Sequence, residues 1–225
     1  WELFTSLVDQ AKEHECHAIT LASRGEPTMH RRFGDMLKYM SDAGVMDIKI
    51  NTNATRLKES VVHDILSADV SEVVFSVDAG TKETYEAIRR RGVFDHVVAN
   101  IDRFNEIRAK QYPKAATITR IAGVQVNETQ DLQQMGDFWS ERVDHVTIKT
   151  CTPRWDSYNN LKNNITEACS TLWSRMYVWY DGIVNPCDFD YKSYLKVGDA
   201  NKNTLSEIWL GEQYTKLREN HANKT

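Results

Sequence analysis

Between residues 17 and 149, short apolar runs alternate with longer amphipathic segments. Residues 17–22, 47–51, 72–77, 116–124 and 144–149 read as strands, spaced roughly 25 to 45 residues apart. The segments 1–15, 31–43, 58–66, 81–90, 94–110 and 128–141 carry apolar residues at helical spacing. Strands returned by helices pair in parallel, because a parallel neighbour needs a crossover long enough to hold a helix. The expected class is therefore α/β. A series that opens on a helix implies a strand before it, so six strands are expected, as an open sheet or an incomplete barrel.

Ligands of parallel α/β folds gather at the carboxyl ends of the strands. Three successive exits here are polar: Gly25-Glu26-Pro27, Asn51-Thr52-Asn53 and Ser76-Val77-Asp78. Gly25 lets a ligand approach the backbone, and Glu26 can accept from an ammonium group. Asn51 and Asn53 donate and accept, and Ser76 and Asp78 suit ribose hydroxyls. Any one exit is explained as well by Asx turns and helix caps; three in succession favour a ligand. Arg120 lies inside an otherwise apolar run, where a buried guanidinium needs a partner such as an anionic ligand group. Arg89-Arg90-Arg91 closes a helix and reads as a solvated, dipole-matched end.

The pattern changes after Cys151. Residues 153–166 are polar and read as a linker; the expected domains are 1–152, a linker over 153–168, and 169–225. Asp181-Gly182 between apolar runs predicts a hairpin with positive φ at both turn residues. A single helix is expected over 204–219. The hairpin brings Cys169 and Cys187 toward one point in the pattern Cys169-x12-Gly182-x4-Cys187. Two thiolates suit zinc or an iron–sulfur cluster but are too few to complete either. Cys151 is a possible third, and Cys16, at the start of a strand, is expected in the core.

The 225 residues are 41% hydrophobic and 27% charged, enough for a sizeable core, and the net charge of −4 gives no general pull toward nucleic acid or anionic lipid. No apolar run reaches the roughly 18 residues of a membrane helix, and the start is not that of a signal peptide. A cytoplasmic, reducing location is expected. The chain does not begin with Met, so a start upstream is expected.

The three exits, continued by Ala79-Gly80-Thr81-Lys82-Glu83-Thr84-Tyr85-Glu86-Ala87-Ile88-Arg89, resemble the core of radical S-adenosylmethionine (SAM) enzymes. Cys169, Gly182-x4-Cys187, Val197-Gly198-Asp199 and Leu205-Ser206-Glu207-Ile208-Trp209 resemble the auxiliary-cluster extension called SPASM, or its shorter twitch form. The resemblance implies a partial (β/α)6 TIM-like barrel, its first strand missing here, followed by a small hairpin-plus-helix extension. It implies a SAM site at Gly25, Glu26, Pro27, Asn51, Asn53, Ser76 and Asp78, with Arg120 a weaker candidate for the SAM carboxylate. It implies a catalytic 4Fe–4S cluster on a Cys-x3-Cys-x2-Cys loop upstream of residue 1, and an auxiliary 4Fe–4S cluster at Cys169 and Cys187. The implied activity is reductive SAM cleavage to a 5′-deoxyadenosyl radical that takes hydrogen from a peptide or small-molecule substrate. An electron donor such as flavodoxin or ferredoxin is implied, and the fragment alone should be inactive. The competing readings are a non-radical SAM- or nucleotide-binding α/β transferase, a non-catalytic descendant that serves as a binding scaffold, and a structural zinc site in the tail.

Overall fold

The computed structural model describes residues 1–151, 158–159 and 167–223. The expected linker, 153–168, lies almost wholly outside the described residues. The chain divides into two compact units: Cys16–Cys151, and Trp1–Glu15 grouped with Thr152–Thr225. The first helix groups with the C-terminal segment and not with the sheet that follows it. That helix, α1 (Glu2–Glu13), is tied there by Gln10, whose Oε1 accepts the Leu205 N–H at 2.7 Å.

In the larger unit five strands, β1 (Ala18–Leu21), β2 (Asp47–Thr52), β3 (Glu72–Ser76), β4 (Ile118–Gln125) and β5 (His145–Thr150), form one sheet in that order. Every pairing is parallel. The returns are α2 (Phe33–Asp42), α3 (Glu59–Ser67), α4 (Lys82–Ile88) with α5 (Phe94–Gln111), and α6 (Leu132–Ser140). α4 is capped by Thr81, whose hydroxyl accepts the Thr84 N–H.

Strand alternation sorts the side chains onto two faces. One carries Ile48, Ile50, Thr52, Val73, Phe75, Thr119 and Ile121, all buried. Gly123 shares that face and backs onto Met135 of α6. The other carries Lys49, Asn51, Glu72, Val74, Ser76, Arg120 and Thr147, of which only Val74 is buried. Parallel sheets normally bury both faces under apolar side chains; this one leaves a polar face half open. β1 is the edge of the sheet among the described residues, with Ala18 and Thr20 exposed. That explains why Cys16 is exposed, not in the core as expected.

Asp144 fastens the amino ends of the last two strands. Its Oδ2 accepts the Thr119 N–H (2.7 Å), the Thr119 hydroxyl (2.8 Å) and Arg108 Nη1 of α5 (2.8 Å). Burial acts to raise its pKa, but these donors overcome it and hold the carboxyl at about 2, below the ordinary 3.8.

The smaller unit has its own core of Leu172, Val184, Val197, Ile208 and Tyr214. The hairpin joins β6 (Tyr177–Val178) to β7 (Ile183–Asn185), and β8 (Gly198–Asp199), unforeseen in the sequence, extends it. Only Gly182 of the turn has positive φ, at 88°. Gly182 N–H bonds to Trp179 O and Trp179 N–H to Ile183 O. The loop is thus three residues ending on a left-handed glycine, not the two-residue turn expected. The last helix is also two, α7 (Leu205–Leu210) and α8 (Glu212–Asn223). Gly211 between them is extended, and a Cβ there would lie 2.8 Å from Glu207 O.

Two outcomes test this description. Gly182→Ala is expected to cost about 1–3 kcal/mol, read by denaturant unfolding, because it forces a left-handed backbone and presses on Asn201. The Asp144 contribution to stability is present above the unfolded carboxyl pKa and lost as pH falls from about 4 to about 2. Asp144→Asn should remove that part of the pH–stability curve and leave its neutral limb flat.

Candidate functional site

Gly25 takes φ +142°, a conformation that side chains rarely adopt, and turns the chain into Glu26. Glu26 then caps the short 3-10 turn Pro27–Met29. Its Oε1 accepts the Thr28 N–H (3.2 Å), the Thr28 hydroxyl (2.6 Å) and the Thr52 hydroxyl (2.6 Å). Its Oε2 accepts the Asn53 N–H (2.7 Å). One carboxylate therefore fastens the β1 exit to the β2 exit. A carboxylate has about four acceptor directions, two on each oxygen, so Oε2 can take a second donor.

Asn51 and Ser76 stand on the half-open polar face, and among the described residues neither side chain makes a hydrogen bond. Asn53 is partly committed: its Oδ1 accepts the Thr55 N–H and hydroxyl, an Asx turn, while its amide nitrogen remains available. Gly25, Glu26, Pro27, Asn51, Asn53 and Ser76 thus sit at or near adjoining strand exits. The arrangement offers a carboxylate for a cation and neutral polar groups for hydroxyls or a base.

Two expected residues are otherwise engaged. Asp78 is 5% exposed; its Oδ2 binds Arg89 through Nε (2.7 Å) and Nη2 (2.6 Å), and its Oδ1 accepts the Val124 N–H (2.9 Å). It locks the β3 exit to β4 and α4. This also gives Arg89 a buried partner in place of the solvated end expected for it. Arg120 lies two residues into β4, far from the exits, and its Nε donates to Glu72 Oε1 at 2.6 Å. Glu72 is shared with Lys49 at 3.5 Å. The Arg120 hydrogen bond is the main reason the Glu72 carboxyl titrates below its usual range, against burial. Glu72 is thus the anionic partner of Arg120 within the sheet.

The sequence reading missed Thr28 and Thr52, which orient Glu26. It also missed Gln130, 5% exposed. Gln130 Nε2 donates to Asp78 O and Val124 O, and its Oε1 accepts the Val126 and Asn127 N–H groups. Thr52 was detectable, because its place on the apolar side of β2 makes a buried hydroxyl that needs a partner.

In the smaller unit, burial pushes the Cys187 thiol up. Cys187 Sγ accepts the Phe189 N–H at 3.4 Å, and Cys169 Sγ lies 2.8 Å from the Thr171 hydroxyl. Among the described residues no group of three or more ligand side chains surrounds one point. Two sulfurs fit part of a cluster's ligand set. Cys151 belongs to the other unit.

The sequence profile of the radical SAM superfamily matches residues 2–138. The chain belongs to the radical SAM superfamily. The profile of an iron–sulfur cluster-binding domain, SPASM, matches residues 169–225. Mycofactocin maturase MftC of Mycolicibacterium smegmatis is 23% identical over 114 residues, covering 51% of this chain and 29% of that protein. GTP 3′,8-cyclase of Desulforamulus reducens is 24% identical over 135 residues, covering 60% and 40%. The chain thus spans well under half of either relative. In fold it is similar to Streptococcus suis SuiB bound to the precursor peptide SuiA (TM-score 0.75, 16% identity, covering 96% of this chain and 59% of that one). It is also similar to anSMEcpe with bound AdoMet (TM-score 0.69, 15% identity, covering 98% and 74%).

The two kinds of polar residue should separate experimentally. Asp78→Asn is expected to lower the unfolding free energy by about 2–3 kcal/mol, since it weakens charged hydrogen bonds at a buried site. Asn51→Ala, which breaks none, should stay within about 0.5 kcal/mol of the parent in the same urea titration.

Proposed function

We propose that this chain is the SAM-binding core, with part of the auxiliary-cluster region, of a radical SAM enzyme that modifies a peptide. The observation that carries the reading is the Glu26 carboxylate, held by four donors where the β1 and β2 exits meet, with acceptor capacity left over. A methionyl ammonium fits that capacity. Asn51 and Ser76 are free to meet the rest of the molecule, with Asn53 contributing its amide nitrogen. Gly25 keeps the backbone bare beside them, and Pro27 fixes the turn behind Glu26. Bound together, SAM and a reduced 4Fe–4S cluster supply a 5′-deoxyadenosyl radical able to take hydrogen from a substrate.

The protein's own work is positional. Glu26 orients one end of SAM, and the polar face below holds a substrate beside it while shielding both from bulk water. A peptide is favoured as substrate because one relative is named a maturase and a structural neighbour holds a precursor peptide. Cys169 and Cys187 would supply two ligands of an auxiliary 4Fe–4S cluster, and an electron-carrier protein would supply the reducing equivalent.

The test uses the protein with its upstream segment, reconstituted anaerobically and reduced with dithionite. It should form 5′-deoxyadenosine, and Glu26→Gln should weaken SAM binding by about 10- to 100-fold, the worth of one charged hydrogen bond. An intact cluster with no product, or unchanged SAM affinity in the variant, would sink the reading.

A further inference from the structure

The turn Pro27–Met29, the start of α2 and the loop before α3 enclose a concave cavity of about 450 Å³, lined among others by Thr28, His30, Arg31, Arg56, Lys58 and Ser60. Arg31, Arg56 and Lys58 are exposed, and among the described residues no carboxylate and no side-chain hydrogen bond engages them. The Ser60 hydroxyl makes no hydrogen bond among those residues either. His30 Nδ1 accepts the Arg32 N–H at 3.2 Å, so the proton of the neutral ring sits on Nε2, which can donate. The nearby acids leave the three cations uncompensated. Asp35 pairs with Arg32 at 3.0 Å, and Glu59 turns to His63 at 3.7 Å. Asp64 also lines the cavity but sits tight against Gly34, where a Cβ would lie 2.5 Å from its Oδ2. Burial, and then the nearby Asp35, push the Asp64 carboxyl up. The lining is thus net positive in a chain whose net charge is −4.

Like charges gathered in one concavity repel one another, and the walls focus their field onto an anion that enters. Guanidinium forks match phosphate oxygens two at a time, and an ammonium adds a point charge. Three cations exceed the single charge of a carboxylate and suit the multiple charge of a diphosphate. We propose that this cavity binds the diphosphate group of a small organophosphate, with Arg31, Arg56 and Lys58 on the phosphoryl oxygens. His30 Nε2 and the Ser60 hydroxyl are the neutral donors. The cavity is of the size that holds a small ligand. Met29, on the same lining and 66% exposed, offers apolar cover for the organic part. The site meets the Glu26 loop at Thr28, which lines the cavity and donates its hydroxyl to Glu26. It uses none of the groups assigned to SAM and does not rest on that reading.

The test titrates ADP and inorganic pyrophosphate into the cluster-loaded protein, with its upstream segment and with SAM in excess so that adenine does not enter the SAM site. Calorimetry follows binding at low and at high salt. Both probes should bind with a dissociation constant below about 1 mM, ADP at least as tightly as pyrophosphate, and both more weakly as salt screens the exposed cations. The triple variant Arg31→Gln, Arg56→Gln, Lys58→Gln should bind about tenfold more weakly or worse. Lys114→Gln, in the loop before β4, should bind as the parent does. Circular dichroism reports whether the triple variant is folded; if it is not, Arg56→Gln and Lys58→Gln singly take its place, each expected to lose about threefold. Absence of ADP binding in the parent overturns the proposal, whether or not pyrophosphate binds. So does parent-like binding by the folded variants. Sulfate binding as tightly as pyrophosphate also overturns it, as the mark of an adventitious ion only.

Discussion

A parallel sheet must cover its faces, and here only one is covered with apolar packing. Ile48, Ile50, Val73, Phe75 and Ile121 are sealed on one side, so the sheet needs no apolar layer on the other to be stable. The second face can therefore carry Lys49, Asn51, Glu72, Ser76 and Arg120 at the cost of mutual pairing among the charges. Asn51 and Ser76 on it make no side-chain hydrogen bond among the described residues and so are open to a ligand. The strand exits are held rigid by carboxylates that look outward in sequence but are spent inward: Glu26 across β1 and β2, Asp78 across β3 and β4. A site built this way is preorganised, since its donors are fixed before any ligand arrives.

The alternation of strands and helices was legible because side-chain period and strand spacing are local properties. The order of the sheet was not fixed by that alternation, which left an open sheet and an incomplete barrel both standing. Side-chain partnerships were not legible in the same way. Arg120 and Glu72 are neighbours only because β3 and β4 pair in a particular register, and Asp78 meets Arg89 only once α4 folds back over the strand exit. The same limit applies to the turn at Gly182. Asp-Gly announced a hairpin, but its loop length depends on how Trp179 pairs with Ile183. The break at Gly211 was visible as a glycine, yet helix-like spacing on both sides concealed it.

The smaller unit is stabilised by apolar packing of its own, with Tyr214 and Val184 fully buried. The hairpin, β8 and the paired helices share that core, and Cys169 and Cys187 flank the hairpin.

The central claim is the proposal that Glu26 receives the amino group of SAM where the β1 and β2 exits meet. A crystal structure of the cluster-loaded protein with SAM tests it most directly. The account predicts the methionyl nitrogen within hydrogen-bond distance of Glu26 Oε2, with Thr52 and Asn53 still bound to that carboxylate and the adenosine near Asn51 and Ser76. SAM bound elsewhere, or bound with its amino group turned away from Glu26, would contradict it.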